Sequence, residues 1–372
     1  MRIAVPKEIK NHEYRVGLTP SSTRELVLRG HEVLVETQAG AGIGASDALY
    51  EAEGARIVDS GQACFEAAEM IVKVKEPQPN ECEWLREDQL LFTYLHLAAD
   101  PEQTAALVRS KAVCVAYETV TSPHGGLPLL APMSEVAGRL AVQAGAHFLE
   151  RENGGKGILL GGVPGVAPAD VLVIGAGTVG THATAAAYGL GANVVIMDRS
   201  PEALRAVWRQ FGANVTTVHS TRASLEEQVA RADLVIGSVL VPGAAAPKLV
   251  TAEMVAGMEP GSVVVDVAID QGGCFETSRA TTHAEPVYVV DDVVHYCVAN
   301  MPGAVPRTST YALNNATLPF VLALAEGYRS AMIADPHLRA GLNVHKGQVC
   351  QEAVANDLGY PYCPSEEALR HY

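Results

Sequence analysis

Apolar residues in the first third of the chain fall in short runs. RIAVP, HEVLVE, ARIVD, MIVKVK, LLFTYL and AVCVAYE each read as a strand. Helical stretches lie between them, such as PSSTRELVLRG, with Pro at its start and Gly at its end. Such alternation implies a mostly parallel sheet covered on both faces. From Met133 to Glu152 the stretch MSEVAGRLAVQAGAHFLERE predicts a long amphipathic helix, followed by the Gly-rich NGGKGILLGGVPGVAP. A second series then begins, with strands in DVLVIGAG, ANVVIMD, ANVTTV, ADLVIGSV, GSVVVDVAID and PVYVVDD. Past Pro306 the pattern turns helical and does not return to strands. The tail from Leu342 predicts a helix and a short irregular end. The economical organisation is α/β with two doubly wound domains. A discontinuous first domain, 1–128 and 305–372, receives the second, 129–304, as an insertion, and long helices near 133–150 and 308–330 bridge them.

The second series opens on a phosphate-binding pattern. VLVIGAGTVG places Gly175, Gly177 and Gly180 directly after a buried strand and at the start of a helix. The first glycine permits a tight turn, the second lets backbone approach a pyrophosphate, and the third lets helix and strand pack closely. Asp198 closes the next strand, about 20 residues further on, where a carboxylate meets the ribose hydroxyls. The 129–304 domain is therefore expected to be Rossmann-like and to bind NAD; the neighbouring Arg199 could in principle attract the 2′-phosphate of NADP. A decoy, GAGIGA (Gly40, Gly42, Ala45), satisfies the same expression but stands three residues beyond its strand. Its helix, between Ser46 and Glu53, is too short for a crossover, so we read it as a structural loop.

Four polar residues stand at or beyond strand ends, where ligands bind in open parallel sheets. They are Arg15, Lys75, His96 and Asp270. In MIVKVKEP the two-residue spacing projects Lys73 and Lys75 to one side of a strand and Val72 and Val74 to the other. A half-buried ammonium is costly unless an anion meets it. Each of the four also has a purely structural alternative. Arg15 could make a surface ion pair, Lys75 could snorkel, His96 could be a core histidine, and Asp270 could cap a turn. Gathered in one cleft, they make a set for binding an anion and transferring a proton.

Composition narrows the ligand. The 372 residues carry a net charge of −15 from 27 basic and 42 acidic side chains, which excludes a nucleic-acid or anionic-membrane surface but not a small anion. No apolar run reaches the ~18 residues of a membrane span. The start MRIAVPKEIK has neither a long apolar core nor a cleavage site, so no signal peptide is expected. Seven cysteines without a C-x-x-C pair fit reduced thiols in the cytoplasm.

The blocks PKEIKNHEYRVGLTP, VKVKEP, YLHLA, GAGTVG, VDVAIDQGG and HYCVANMPGAVPRTST, continued by NNATLPF and GLNVHKG, resemble the alanine dehydrogenase family over essentially the whole chain. The soluble NAD-binding component of proton-translocating transhydrogenase shares some of these blocks and is the competing reading; a silent NAD-binding protein ranks last. The resemblance implies reversible NAD-dependent conversion of L-alanine to pyruvate and ammonium. It implies His96 and Asp270 as catalytic residues and Arg15 and Lys75 as substrate ligands. Tyr94, Leu130, Met133 and Asn300 would complete the substrate pocket. Ser134, Gly175, Gly177, Thr178, Val179, Gly180, Asp198, Ser220, Val239, Leu240, Val267, Asp270, Asn300 and Met301 would contact NAD. A cytoplasmic homohexamer is also implied. Departures are Asp292, where an apolar lead-in to the His-Tyr pair is usual, and Phe320, where an aromatic hydroxyl often appears. The stretch 313–330 has no His/Glu pair at helical spacing, so no metal is expected.

Overall fold

The computed structural model describes residues 1–239 and 246–370. The chain forms two compact units, Met1–Met133 with Val305–Tyr372, and Ser134–Ala304. The first unit begins with six strands: β1 (Arg2–Val5), β2 (Glu32–Glu36), β3 (Arg56–Val58), β4 (Met70–Val72), β5 (Leu90–Thr93) and β6 (Val113–Ala116). They lie in the order β3-β2-β1-β4-β5-β6, every neighbouring pair parallel. The central strands are buried on both faces, which is why they read as unbroken apolar runs rather than alternating ones. Ala4, Leu34, Phe65, Ile71, Leu91 and Cys114 belong to one core cluster of this unit.

The second unit repeats the winding. Its strands are β7 (Asp170–Ile174), β8 (Asn193–Asp198), β9 (Thr216–His219), β10 (Leu234–Gly237), β11 (Val263–Asp266), β12 (Val287–Val290) and β13 (Val293–Tyr296). The sheet order is β9-β8-β7-β10-β11-β13-β12, parallel throughout except for the β12–β13 hairpin. Leu172, Val235, Met254, Val264 and Phe275 belong to its core. The chain then returns to the first unit through the helix Pro306–Ala334, interrupted at Gly327, whose φ of 143° is not helical. It ends with β14 (Leu342–His345), β15 (Gln348–Val349) and short helices.

Three expectations need correction. Past Pro306 the chain does return to strands: β14 pairs antiparallel with β6, and β15 with β14. The segment LNVH is too short to announce itself, and its polar members are buried rather than facing water. Asn343 is satisfied inside by Thr119 Oγ1 (2.7 Å) and the Gly341 carbonyl (3.0 Å). The turn Lys346–Gly347 has positive φ at both positions, the geometry of a two-residue hairpin. A second strand, β13, follows the run that PVYVVDD was expected to close. Asp291 and Asp292 are its hairpin turn, again with positive φ (49° and 60°), which accounts for a polar Asp292 in that place. Finally, regular strand ends at Val72, so two-residue alternation does not pair Lys73 with Lys75. Lys73 is fully buried and Lys75 half-buried. The GAGIGA stretch forms a short 3-10 turn (Ala41–Ile43) and the six-residue helix Asp47–Ala52, with no nucleotide-binding turn.

Candidate active site

In the first unit the candidate residues follow the carboxyl ends of four adjacent parallel strands. Arg15 lies in the loop after β1 and is buried, not on the surface. Its guanidinium is gripped by Glu13: Nε donates to Oε1 and Nη2 to Oε2, each at 2.6 Å. Nη1 reaches the Met133 Sδ at 3.1 Å. Burial works against the Arg15 charge, but the Glu13 carboxylate outweighs it and holds the guanidinium proton more firmly. Lys75 follows β4, and its carbonyl accepts the Thr93 hydroxyl of β5 at 2.9 Å.

His96 follows β5 and is no core histidine: half its side chain is exposed. Its backbone is left-handed (φ 51°), and its ring stacks on Tyr94 with centroids 5.8 Å apart and planes 6° from parallel. The Glu118 carboxylate beyond β6 secures this turn, accepting the His96 N–H at 2.6 Å and the Leu95 N–H at 3.2 Å. The same carboxylate lies 3.9 Å from Nδ1. Tyr94 is buried and donates its hydroxyl to the Leu129 carbonyl at 2.5 Å, beside Leu130. Burial keeps that phenol protonated by pushing its pKa up. Arg15, Lys75, Tyr94, His96, Leu130 and Met133 are thus tied to one edge of one sheet. Glu13 and Glu118, which hold two of them, were not singled out from sequence. KNHEYR offered a signal, an acid two residues before the arginine; Glu118 offered none.

In the second unit the switch point of the strand order lies between β7 and β10. Gly175 turns the chain with φ 104°, and Gly177 caps the helix Thr178–Gly189. A Cβ on Gly180 would sit far inside contact with the Gly175 carbonyl, whereas one on Gly177 would meet no protein atom within 4 Å. The turn is therefore closed on its packing side and open on the side a pyrophosphate would take, with Val179 and Gly180 buried and Thr178 exposed. From β10, Ser238 closes the crevice, its hydroxyl donating to the Ile174 (2.8 Å) and Gly175 (3.1 Å) carbonyls, and Val239 follows. Asp198 ends β8; its two oxygens accept the N–H groups of Ala176 and Ser200, each at 2.7 Å. Ser220 N–H bonds the Asp198 carbonyl at 3.0 Å. The residues present fit a dinucleotide.

Asp270 is exposed on the 3-10 turn Val267–Gln271 after β11. That turn is built on the buried Asp266, which in the sequence reads as one more residue of the strand run GSVVVDVAID. Its carboxylate accepts from Ala268 N (3.1 Å), Cys274 N (2.9 Å), Phe275 N (3.3 Å) and Ser278 Oγ (2.5 Å). Burial pushes the Asp266 carboxyl up, and these donors oppose the rise. Asn300 has a left-handed backbone (φ 62°), and its carbonyl accepts from His283 Nε2 at 3.2 Å; Met301 beside it is buried. Ser134 opens this unit and is partly exposed. Leu240 lies outside the described residues. Among the described residues no cluster of His, Cys, Asp and Glu is arranged to hold a metal ion, and no helix is long and apolar enough to cross a membrane.

The family description "Alanine dehydrogenase/PNT, N-terminal domain" matches residues 4–137, and its C-terminal counterpart matches 141–352. An alanine dehydrogenase of Halomonas elongata is 62% identical over 97% of this chain and 98% of its own length. One of Mycolicibacterium smegmatis is 54% identical over 99% of this chain and its whole length. A solved L-alanine dehydrogenase superposes with a TM-score of 0.94 at 54% identity, over 96% of this chain and 99% of its own. A transhydrogenase from Sinorhizobium meliloti superposes with a TM-score of 0.82 at 28% identity, over 95% of this chain and 100% of its own.

Proposed function

The chain belongs to the alanine dehydrogenase/PNT family, and from that premise we infer its activity: reversible oxidative deamination of L-alanine to pyruvate and ammonium, with NAD as cofactor. The observation that carries the reading is the set at the carboxyl edge of the first sheet, a buried arginine, a strand-end lysine and an exposed imidazole held on an aromatic ring. A transhydrogenase component has no need of an amino-acid acid/base such as His96, and the transhydrogenase likeness is the weaker one.

In this proposal Arg15 binds the substrate carboxylate from its Nη1 side, against Met133, while Glu13 keeps the guanidinium from rotating. Lys75 faces the oxygen on which negative charge builds as ammonia adds to the carbonyl of pyruvate. His96 moves the proton of the carbinolamine hydroxyl as that adduct collapses, a task suited to an imidazole. Asp270 orients water or ammonia and supports the cationic iminium. Tyr94, Leu130, Met133 and Asn300 bound the substrate methyl. NAD, when bound, supplies the hydride acceptor. Gly175, Gly177, Thr178 and Gly180 would cradle its pyrophosphate, and Asp198 would accept its ribose hydroxyls. Ser134, Ser220, Val239, Leu240, Val267 and Met301 would line the rest of its path.

We also read the enzyme as a cytoplasmic homohexamer, on family resemblance. The seven free cysteines, six of them buried, support the reducing compartment. The test is NADH absorbance: appearance with L-alanine and NAD, and consumption with pyruvate and ammonium. No turnover in either direction would end the proposal.

A further inference from the structure

Lys73 is fully buried in the first unit and takes no part in the chemistry above. Its ammonium donates to Glu8 Oε2 (3.2 Å) and Glu81 Oε1 (2.8 Å), both carboxylates themselves buried. Glu8 comes from the loop after β1, the loop that also carries Arg15. Its other oxygen accepts the Val74 N–H at 2.7 Å and reaches the Lys75 N–H at 3.4 Å. Glu81 uses its second oxygen on the Gln78 N–H (2.7 Å), closing the cap of the helix Pro79–Trp84. The Lys73 carbonyl accepts the Tyr117 hydroxyl at 2.8 Å, and the Tyr117 ring meets Tyr94 edge-on with centroids 5.0 Å apart. Burial alone would drive the Lys73 ammonium toward neutrality, but the two carboxylates outweigh it and hold the proton. Burial also lifts the Glu8 carboxyl above its ordinary value, against the pull of Lys73.

Such a triad is poorly explained by stability. Buried ion pairs are often replaceable by apolar side chains at no cost to the fold. What this one does is join the Arg15 loop to the backbone from which Lys75 departs. We propose that Lys73 is a positioning residue for the carboxylate site: its ammonium holds Glu8 against Val74 and Lys75 and so sets where Lys75 leaves the strand relative to the Arg15 loop. The proposal rests on the reading of Arg15 and Lys75 as substrate ligands.

Lys73→Met alone leaves two buried carboxylates without a cation and is a poor test, because it risks unfolding. The informative variant is Lys73→Met with Glu8→Gln and Glu81→Gln in the full-length enzyme, in which the triad is neutral. It should fold, keep its KM for NADH, and raise the KM for pyruvate about tenfold, less than the ~100-fold that a 1 Å misplacement can cost. A merely structural triad would lower Tm and leave that KM unchanged, and this result overturns the proposal. The single variants Glu8→Gln and Glu81→Gln decide the matter should the triple variant not fold. Glu8→Gln should raise the pyruvate KM more than Glu81→Gln, because only Glu8 touches the Val74–Lys75 backbone, and equal effects also overturn it. Arg15→Ala and Lys75→Ala check the premise separately. An unchanged pyruvate KM in both would remove the substrate reading itself, whatever the triad variants do.

Discussion

The two units wind six parallel strands in the same order, 3-2-1-4-5-6, and add an antiparallel edge beyond the sixth. Their switch points lie between corresponding strands, β1 and β4 in one and β7 and β10 in the other. Even the packing device recurs. A Cβ on Gly17 would collide with the Val72 carbonyl, as one on Gly180 would with that of Gly175. The difference is in what each crevice presents. In the second unit a tight turn delivers a helix N-terminus, so the ligand groups are backbone N–H donors and a dipole, which suit a diffuse pyrophosphate. In the first unit a long loop, 6–19, replaces that turn, and the groups presented are the side chains Arg15, Lys75 and His96. Side chains can be oriented, titrated and discriminating; backbone amides are none of these. On the proposed reading one topology serves as a cofactor holder and as a reaction chamber, according to the length of its first crossover loop.

The largest effect should come from Asp270, the catalytic group proposed for the second unit. Asp270→Asn keeps shape and removes charge, so kcat should fall by orders of magnitude in both directions while NADH fluorescence titrations stay near the parent curve. Near-normal kcat would leave all the chemistry in the first unit; lost NADH binding would make Asp270 a cofactor ligand instead.

The paired glycines come next. Gly180→Ala and Gly17→Ala each overpack one switch point, at a cost of about 1–3 kcal/mol. Gly180→Ala should weaken NADH binding and spare the KM for pyruvate, and Gly17→Ala should do the opposite. Isothermal titration beside steady-state kinetics checks both, and the same pattern in the two variants would refute the division of labour. A smaller effect belongs to Asp198→Gly, which removes the acceptor for ribose hydroxyls. The preference for NAD over NADP in kcat/KM should drop about tenfold, the worth of a hydrogen bond to a charged group. An unchanged ratio would shift that selectivity to Arg199.

The smallest effect concerns the antiparallel edges. Each antiparallel pairing includes a buried histidine, His345 on β14 and His295 on β13, and burial lowers both pKa values, His345 to about 4. Nearby Lys346 and Arg329 lower His345 further, and Asp88 opposes them. With the folded pKa below the unfolded value of 6.5, the unfolded chain takes up the proton first as pH falls. Stability present above pH 6.5 is therefore lost as pH drops toward about 4. His345→Asn should flatten Tm against pH in that window, and an equally steep curve would show that His345 does not cause the loss.

The parallel strands were readable because a strand buried on both faces must be apolar throughout, and the glycine turn because its geometry tolerates few alternatives. The placement of Arg15, Lys75, His96 and Asp270 beyond strand ends was readable because each stands after an apolar run that folds as a strand. The edge hairpins were not. Their strands are short, their polar members Asn343 and His295 each take one partner distant in sequence, and their turns use Asp-Asp and Lys-Gly. Neither was the carboxylate that secures the His96 turn, since Glu118 lies 22 residues away in sequence and nothing local marks it.

By itself, then, the sequence determined the alternation of elements, the glycine turn and the charged side chains proposed for the site, because each follows from backbone geometry or from a side chain's intrinsic chemistry. Only the tertiary structure decided which charges pair. MIVKVK shows two lysines two residues apart, and folding gives them different environments: Lys73 between two buried carboxylates, Lys75 half-buried beyond the strand end. The reason is physical. A charge's partner is whatever the fold brings within a few ångströms, and Glu8 lies on a separate loop that meets β4 only when the sheet has formed.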